Sequence, residues 1–329
     1  MDEKFKRIRY IYFMSKNMFS QRTVSGFMLA AFTIFIWGIT FVCTKSLLND
    51  FSALEILVVR FILAYISLWI LCPHALHLEH RKDELLFFAA GLCGVTVYQF
   101  LENAAILFTS ASNVSIIVAI CPIFTALTAQ IFMHEKHITP LFITGFLIAI
   151  AGVALVSFNG AVTFHFSPEG DLMALAAAVS WGFYSLFVSK INALGCRSLA
   201  ATRRIFFYAL VCMIPLVLSG MFIPGMHENQ SLRIIVDESV NIERFSRPIN
   251  WMNLLFLGVA ASALCFAAWN VACRILGTVH ATIGIYLIPV VTILFAYFVL
   301  GEKITFMGTL GAVFTICGLI VSGLRRGKV

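Results

Sequence analysis

Trp37-Gly38-Ile39-Thr40 and, 144 residues further on, Trp181-Gly182-Phe183-Tyr184 stand near the start of two halves that repeat each other. Arg60-Phe61 and Arg204-Ile205 keep the same spacing. Later, Asn103, Pro122, Glu135 and Lys136 recur as Asn270, Pro289, Glu302 and Lys303, now 167 residues apart. The offset grows because the second half carries an additional polar stretch over residues 224–250. The chain is therefore a duplicated unit, and the composition of that unit decides where it folds.

Of the 329 residues, 60% are hydrophobic and 12% charged, and the mean hydropathy is +0.95. A soluble domain of this size carries about 25% charged residues. So little charge cannot cover a water-facing surface, so most of the surface faces lipid. The nine cysteines lie scattered through apolar segments, without a CxxC pair, and read as small core residues rather than disulfides or metal ligands. The +7 net charge is not a nucleic-acid signal, because the basic residues gather at the ends of apolar runs. Residues 1–24 are polar and basic, and the run that follows is too long for a cleavable signal core, so it reads as an anchor.

About 20 apolar residues are needed to cross ~30 Å of hydrocarbon. Ten runs meet that length: 25–47, 53–72, 84–108, 111–133, 138–158, 170–190, 201–222, 251–274, 279–300 and 305–324. The predicted fold is an all-α membrane protein of ten transmembrane helices. It divides into a first five-helix repeat over 25–158 and a second over 170–324, the latter interrupted by the loop at 224–250. Five is an odd number, so the second repeat inserts upside down relative to the first. With the N-terminus in the cytoplasm, 17 of the 23 Lys and Arg fall on the cytoplasmic side, which is the positive-inside pattern. Both termini are expected in the cytoplasm, and the loop at 224–250 outside. Inverted repeats in lipid are a plan of secondary transporters, with the site between the repeats.

Each half closes on a related pattern, Pro122…Glu135-Lys136-His137-Ile138-Thr139…Gly145…Gly152 and Pro289…Gly301-Glu302-Lys303-Ile304-Thr305…Gly311…Gly318. With Thr109-Ser110-Ala111-Ser112 and the two Trp-Gly pairs, this resembles the EamA-type transporters of the drug/metabolite transporter superfamily over residues 25–324. His134 departs from the pattern, since the second repeat has Gly301 there. The resemblance implies ten helices in an inverted repeat and movement of small metabolites, often amino acids or related compounds. It does not name one substrate, because transporters on one fold differ in the lining of their cavities.

Glu102 is the sharpest single residue. It lies deep in the third run, within Val97-Tyr98-Gln99-Phe100-Leu101-Glu102-Asn103. A carboxylate at that depth costs roughly 2.5–3.5 kcal/mol on insertion scales and marks a functional position. It is a candidate both for proton coupling and for anchoring a substrate ammonium group; a protonated carboxyl bonded to a neighbouring helix is the alternative. Tyr98, Gln99, Glu102 and Asn103 share a helix face that must point away from lipid. Their counterparts include Trp269 and Asn270, and the two asparagines also read as glue between helices. Trp37 and Trp181 lie inside their runs rather than at the ends, and with Thr40 and Tyr184 they read as cavity walls or as packing. Tyr286, one turn before Pro289, is a further lining candidate. Pro122 and Pro289 fall within apolar runs and read as hinges or static kinks. Arg60 and Arg204 read most simply as snorkelling to headgroups, and Glu135-Lys136 and Glu302-Lys303 as structural pairs at helix junctions. His74-x-x-His77-x-x-His80 reads as a solvated loop, and no metal or cofactor is expected.

A rival channel needs a ring of carbonyls or charges, which one buried Glu per chain supplies only in an oligomer. An intramembrane enzyme would need a nucleophile or metal motif, and HExxH, GxSxG and Gly-rich phosphate loops are all missing from the sequence. The sequence thus points to a secondary active carrier working by alternating access. Its cargo would be a small organic solute, amino acid-like and amphipathic, moved most simply outward across a cell inner membrane. Its partners would be the lipid bilayer and protons, and it would act as a monomer or homodimer.

Overall fold

The computed structural model describes residues 3–109, 111–157, 168–222, 243–300 and 306–323. Every element in them is helical: α1 (Glu3–Leu47), α2 (Ala53–Leu71), α3 (Glu84–Gly91), α4 (Tyr98–Phe108), α5 (Ala111–Val118), α6 (Cys121–Phe132), α7 (Pro140–Ser157), α8 (Pro168–Ala193), α9 (Ser198–Phe222), α10 (Pro248–Leu255), α11 (Cys265–Leu276), α12 (Thr278–Ile283), α13 (Ile288–Leu300) and α14 (Phe306–Gly323). A π-helical stretch, Leu92–Val97, joins α3 to α4, and another, Phe256–Leu264, joins α10 to α11. Among the described residues six helices are long and apolar enough to cross a membrane, and four shorter apolar helices accompany them. The molecule is a multi-pass membrane protein. Its outer surface agrees: Ile70 and Phe298 are 75% and 78% exposed, with Phe27, Met28, Leu85 and Ile131 around them. Such a belt is stable only against lipid tails. Glu302, Lys303 and the greater part of the polar loop at 224–250 lie outside the described residues.

Two departures from the sequence reading have local causes. α1 begins at Glu3, far ahead of its apolar run. No glycine precedes Gly26 and no proline precedes Pro73, so nothing in the basic stretch stops a helix. Neither proline kinks a continuous rod. Pro122 is at the first turn of α6, after a break at 119–120, and Pro289 begins α13 after a 3₁₀ turn at Gly284–Leu287. A proline costs no hydrogen bond at the first turn of a helix, where the N–H has no intrahelical partner.

Packing repeats across the two halves. α1 lies against α11 and α13, while α8 lies against α4 and α6; α2 packs on α9, and α7 on α14. The α7–α14 contact is the most intimate. The place where a Cβ of Gly145 would sit is filled by Gly318 O and the backbone of Ser322, and that of Gly152 by Gly311 O and Thr315. Small residues allow such backbone approach between helices in lipid. At the end of α6, His134 takes the left-handed conformation (φ 57°), at the position where the second repeat has glycine.

Gly318→Val forces a side chain into the backbone of Ala149, which cannot yield as a flexible side chain does. Overpacking of this kind costs about 1–3 kcal/mol. The variant is expected to unfold at a clearly lower temperature in detergent than the parent chain, and an unchanged unfolding temperature would mean that the close approach of α7 and α14 is not needed for stability.

Candidate functional site

The two Trp-Gly pairs come together at the centre. Gly38 and Gly182 let the neighbouring rods press against α1 and α8: an added Cβ would stand 2.6 Å from Val291 and 2.8 Å from Phe124, respectively. Val291 and Phe124 are themselves repeat counterparts, 167 residues apart. Trp37 and Trp181 meet edge-to-face at 5.4 Å. Trp269 lies 5.1 Å from Trp37 and 6.1 Å from Trp181, and Tyr98 and Tyr184 flank Trp181 at 4.9 and 5.0 Å. Phe266 closes the group at 5.4 Å from Trp37. Edge-to-face and tilted ring pairs are each worth ~0.5–1.5 kcal/mol beyond their buried area. The indole N–H of Trp37 donates to Ala261 O at 3.0 Å, whereas the indole N–H of Trp181 is buried without a partner.

A polar group adjoins this aromatic box on the α2–α4 side. Tyr98 Oη donates to Glu102 Oε1 at 3.1 Å. One position along, Gln99 Oε1 accepts from Arg60 Nη1 at 2.7 Å, and Arg60 Nε donates to Ser262 Oγ at 2.5 Å. Arg60 is only 2% exposed. It does not snorkel: it stands about two turns inside α2, where its head finds polar partners on α4 and the second π stretch instead of headgroups. Its counterpart Arg204 is half-buried and pairs with Glu84, which also accepts from Tyr208 at 2.7 Å.

The asparagines join helices. Asn103 Nδ2 reaches Ala53 O at 3.4 Å, while Asn270 accepts from Tyr184 Oη at 3.1 Å and donates to Thr202 at 2.9 Å. Thr40 turns back to its own helix, donating to Trp37 O at 2.6 Å. Tyr286 does not join the box. It is buried in a separate cluster with Ala126, Phe142, Val279 and Ile283, its hydroxyl unpartnered. Arg60, Ser262 and Phe266 belong to the site and stand outside the sequence-derived set. For Phe266 a signal existed, since the repeat offset pairs it with Gln99 just as it pairs Trp269 with Glu102.

The two ends of the molecule differ. At the end carrying Lys136, a cavity of about 180 Å³ opens, lined among others by Glu135, His137, His280, Thr125, Ser185 and Ser189. His137 Nε2 lies 2.6 Å from Glu135 Oε2. Ser189, Ser185 and Trp181 follow one another at four-residue intervals on α8, so the cavity wall runs toward the aromatic box. At the opposite end the α1–α2 turn is clasped by residues 243–250. Arg244 pairs with Glu55 at 3.1 Å, Arg247 with Asp50 at 3.0 Å, and Asn250 Nδ2 donates to Asp50 at 2.8 Å. Arg244 also lies over the Phe51 ring at 4.7 Å.

A family model described as the EamA-like transporter family matches residues 24–158 and again residues 168–324. Among curated proteins, one from Salmonella typhimurium named "Probable amino-acid metabolite efflux pump" is 26% identical and covers 89% of this chain and 93% of its own length. A "Probable terminal-alkyne amino-acid exporter" of Streptantibioticus cattleyicolor is 24% identical over 89% of this chain and 91% of its own. An "Uncharacterized transporter" of Archaeoglobus fulgidus is 24% identical over 91% and 97%. A crystal structure with TM-score 0.66 and 17% identity, covering 92% of this chain and 96% of that one, shares the fold.

The side chains of Arg244 and Glu55 are 8% and 10% exposed, so removal of one strands the other away from water. Loss of one member of a buried pair costs about 3–5 kcal/mol. Arg244→Met is expected to lower the unfolding temperature in detergent, and the double variant Arg244→Met/Glu55→Gln to recover part of the loss. Equal stability of Arg244→Met and the parent chain would mean that the clasp contributes nothing.

Proposed function

The chain belongs to the EamA-like transporter family, and from that premise we propose a ten-helix carrier of amino acid-like solutes working by alternating access. It is a transporter of small metabolites. In our reading, two inverted five-helix repeats, 25–158 and 170–324, rock about the aromatic box. Reciprocal packing supports the inversion: α1 on α11 and α13 is matched by α8 on α4 and α6, and Gly145 and Gly152 of α7 face Gly318 and Gly311 of α14 in opposite order. The double match of the family model supports the same division. The helix starts at Pro122 and Pro289 serve as the hinges of that motion.

One observation carries the reading. Rings from both repeats converge on a buried carboxylate, Glu102, through Tyr98. Aromatic faces and a carboxylate are the chemistry that receives an ammonium group on an apolar body. Trp37, Thr40, Tyr98, Gln99, Glu102, Asn103, Trp181, Tyr184, Trp269 and Asn270 make up the binding and supporting set, in which the two asparagines and Thr40 hold the frame, while Tyr286 lies in a separate cluster and is left out of it. In this reading the Lys136 end and both termini face the cytoplasm across a cell inner membrane, an orientation supported by the distribution of basic residues. The cavity at that end then admits cargo from inside, as an exporter requires, while the clasp closes the outer end. Relatives named for amino-acid export and amino-acid metabolite efflux favour the same cargo. Catalysis, a cofactor and nucleic acid have no part in this scheme. The working unit is a monomer or a homodimer, and Glu102 couples transport to protons.

Counterflow in proteoliposomes tests this. Preloading with mixed amino acids should give saturable exchange of at least one of them, and ohmic conductance without saturation would favour a channel. Glu102→Gln carries no ionisable proton. It should abolish pH-dependent transport while the protein still folds and inserts into the membrane; a gradient response equal to that of the parent chain would remove Glu102 from coupling.

A further inference from the structure

Arg60 is a buried cation without a counter-ion in contact. Among the described residues no carboxylate lies within ion-pair distance of it. Its two bonds go to neutral oxygens, Gln99 Oε1 and Ser262 Oγ. A guanidinium has five N–H donors, so most of its donor capacity is unused in a side chain almost fully removed from solvent. Buried charges are costly unless they are paired and hydrogen-bonded. The nearby group of opposite sign is Glu102, whose field reaches Arg60 without contact. Glu102 in turn has Tyr98 as its partner.

The centre is therefore short of acceptors. Arg60 has spare N–H groups, and the indole N–H of Trp181, whose ring lies tilted against Tyr98, has no partner at all. The balance could be struck by an anionic group that arrives with the cargo. A guanidinium also presents its donors in a planar fork that matches the two oxygens of a carboxylate, which an ammonium does not.

We propose that Arg60 receives the carboxylate of a zwitterionic cargo whose ammonium group lies at Glu102, with the aromatic box around its side chain. This inference rests on the reading of the protein as an amino-acid carrier and narrows it. The two charged ends of the cargo are read by neighbouring helices of the first repeat, α2 and α4. Arg60 is then a specificity-determining residue that distinguishes an amino acid from the corresponding amine. The second repeat lacks the arrangement: Arg204 is taken up by Glu84, and the counterpart of Glu102 is Trp269. One orientation of the cargo follows, with both charges held by the first half.

A panel of four probes tests the inference on the unaltered protein: L-leucine, L-leucinamide, isopentylamine and 4-methylpentanoic acid. They share an isobutyl body and differ in which charged end is present. Each is offered as a competitor of leucine counterflow in proteoliposomes and as a stabiliser against heat in detergent. Leucine should outcompete leucinamide and isopentylamine by tenfold or more. Equal competition by leucinamide would overturn the role of Arg60, since the carboxylate would then go unread. Arg60→Gln should lose leucine exchange and bring leucine and leucinamide within about threefold of each other, whereas Arg60→Lys, which keeps charge but not the fork, should fall between. If Arg60 only braced α2 against α4, the variants would lose rate without changing the leucine-to-leucinamide ratio, and that too would overturn the proposal. Should Arg60→Gln fail to fold, the panel on the unaltered protein decides alone. Absence of saturable exchange for any amino acid would instead sink the amino-acid reading itself, and the Arg60 inference with it, whereas exchange of leucine with no preference over its amide sinks only the latter.

Discussion

Hydrocarbon offers no hydrogen bonds, and nearly every feature of this molecule follows from that constraint. The backbone satisfies itself as helices. Many hydroxyls return to carbonyls of their own helix, as Thr282 does to Thr278 O at 2.7 Å and Ser322 to Gly318 O at 2.8 Å. Others cross between rods and so help fix which rods are neighbours: Thr292 to Gly38 O at 2.9 Å, Thr128 to Gly182 O at 3.0 Å, Ser180 to Cys93 O at 2.8 Å and Thr96 to Ala209 O at 3.0 Å. Each crossing bond reaches a carbonyl at or near a close approach. The glycine brings the backbones together, and the hydroxyl then has a carbonyl within reach. Among the described residues the buried donors left over include the Trp181 indole, in the middle of the aromatic box, and the Tyr286 hydroxyl, in a separate cluster.

Around that middle the regular helix gives way at corresponding points in the two halves. π-helical stretches occupy 92–97 and 256–264, and breaks stand at 119–120 and 284–287. π-turns are frequent at functional sites because they re-aim side chains and leave carbonyls loosely held. Here the first one hands over to Tyr98, Gln99 and Glu102, and the second contains Ser262 and precedes Phe266. The rods that carry the site are thus irregular just where they meet it, whereas α7 and α14, which pack backbone to backbone, are uninterrupted over their described lengths.

Much of this was legible in the sequence, because hydrophobic run length and repeat spacing are local quantities. The helical rods follow from run length, the inward face of Tyr98 and Glu102 from periodicity, and the equivalence of Trp37 and Trp181 from the repeat spacing. What escaped depends on partners far along the chain. Arg60 looks like a headgroup anchor until Gln99 and Ser262, 39 and 202 residues away, are placed beside it. Tyr286 has the right spacing for the cavity yet belongs to another cluster, because the 3₁₀ turn that carries it alters the facing of the helix. The polar residues at the end of the extra stretch had no evident task in sequence. Their use appears only when Arg244 and Arg247 meet Glu55 and Asp50 across nearly two hundred residues.

Duplication explains the frame, and departure from duplication explains the site. Gly38 and Gly182, Phe124 and Val291, and the paired asparagines hold equivalent places and give equivalent packing. The functional positions do not match: Glu102 faces Trp269 in the repeat register, Gln99 faces Phe266, and Ala119 faces Tyr286. A strictly symmetric pair of repeats would bind a cargo equally well in two opposite orientations and would have no preference between its two ends. In the proposed binding mode, placing the carboxylate and the guanidinium in one half, and large apolar rings at the matching positions of the other, removes that degeneracy. The clasp does the same for the ends, since its polar stretch has no counterpart in the first repeat. A duplicated frame thus acquires two unlike halves from a few residues that broke the repeat.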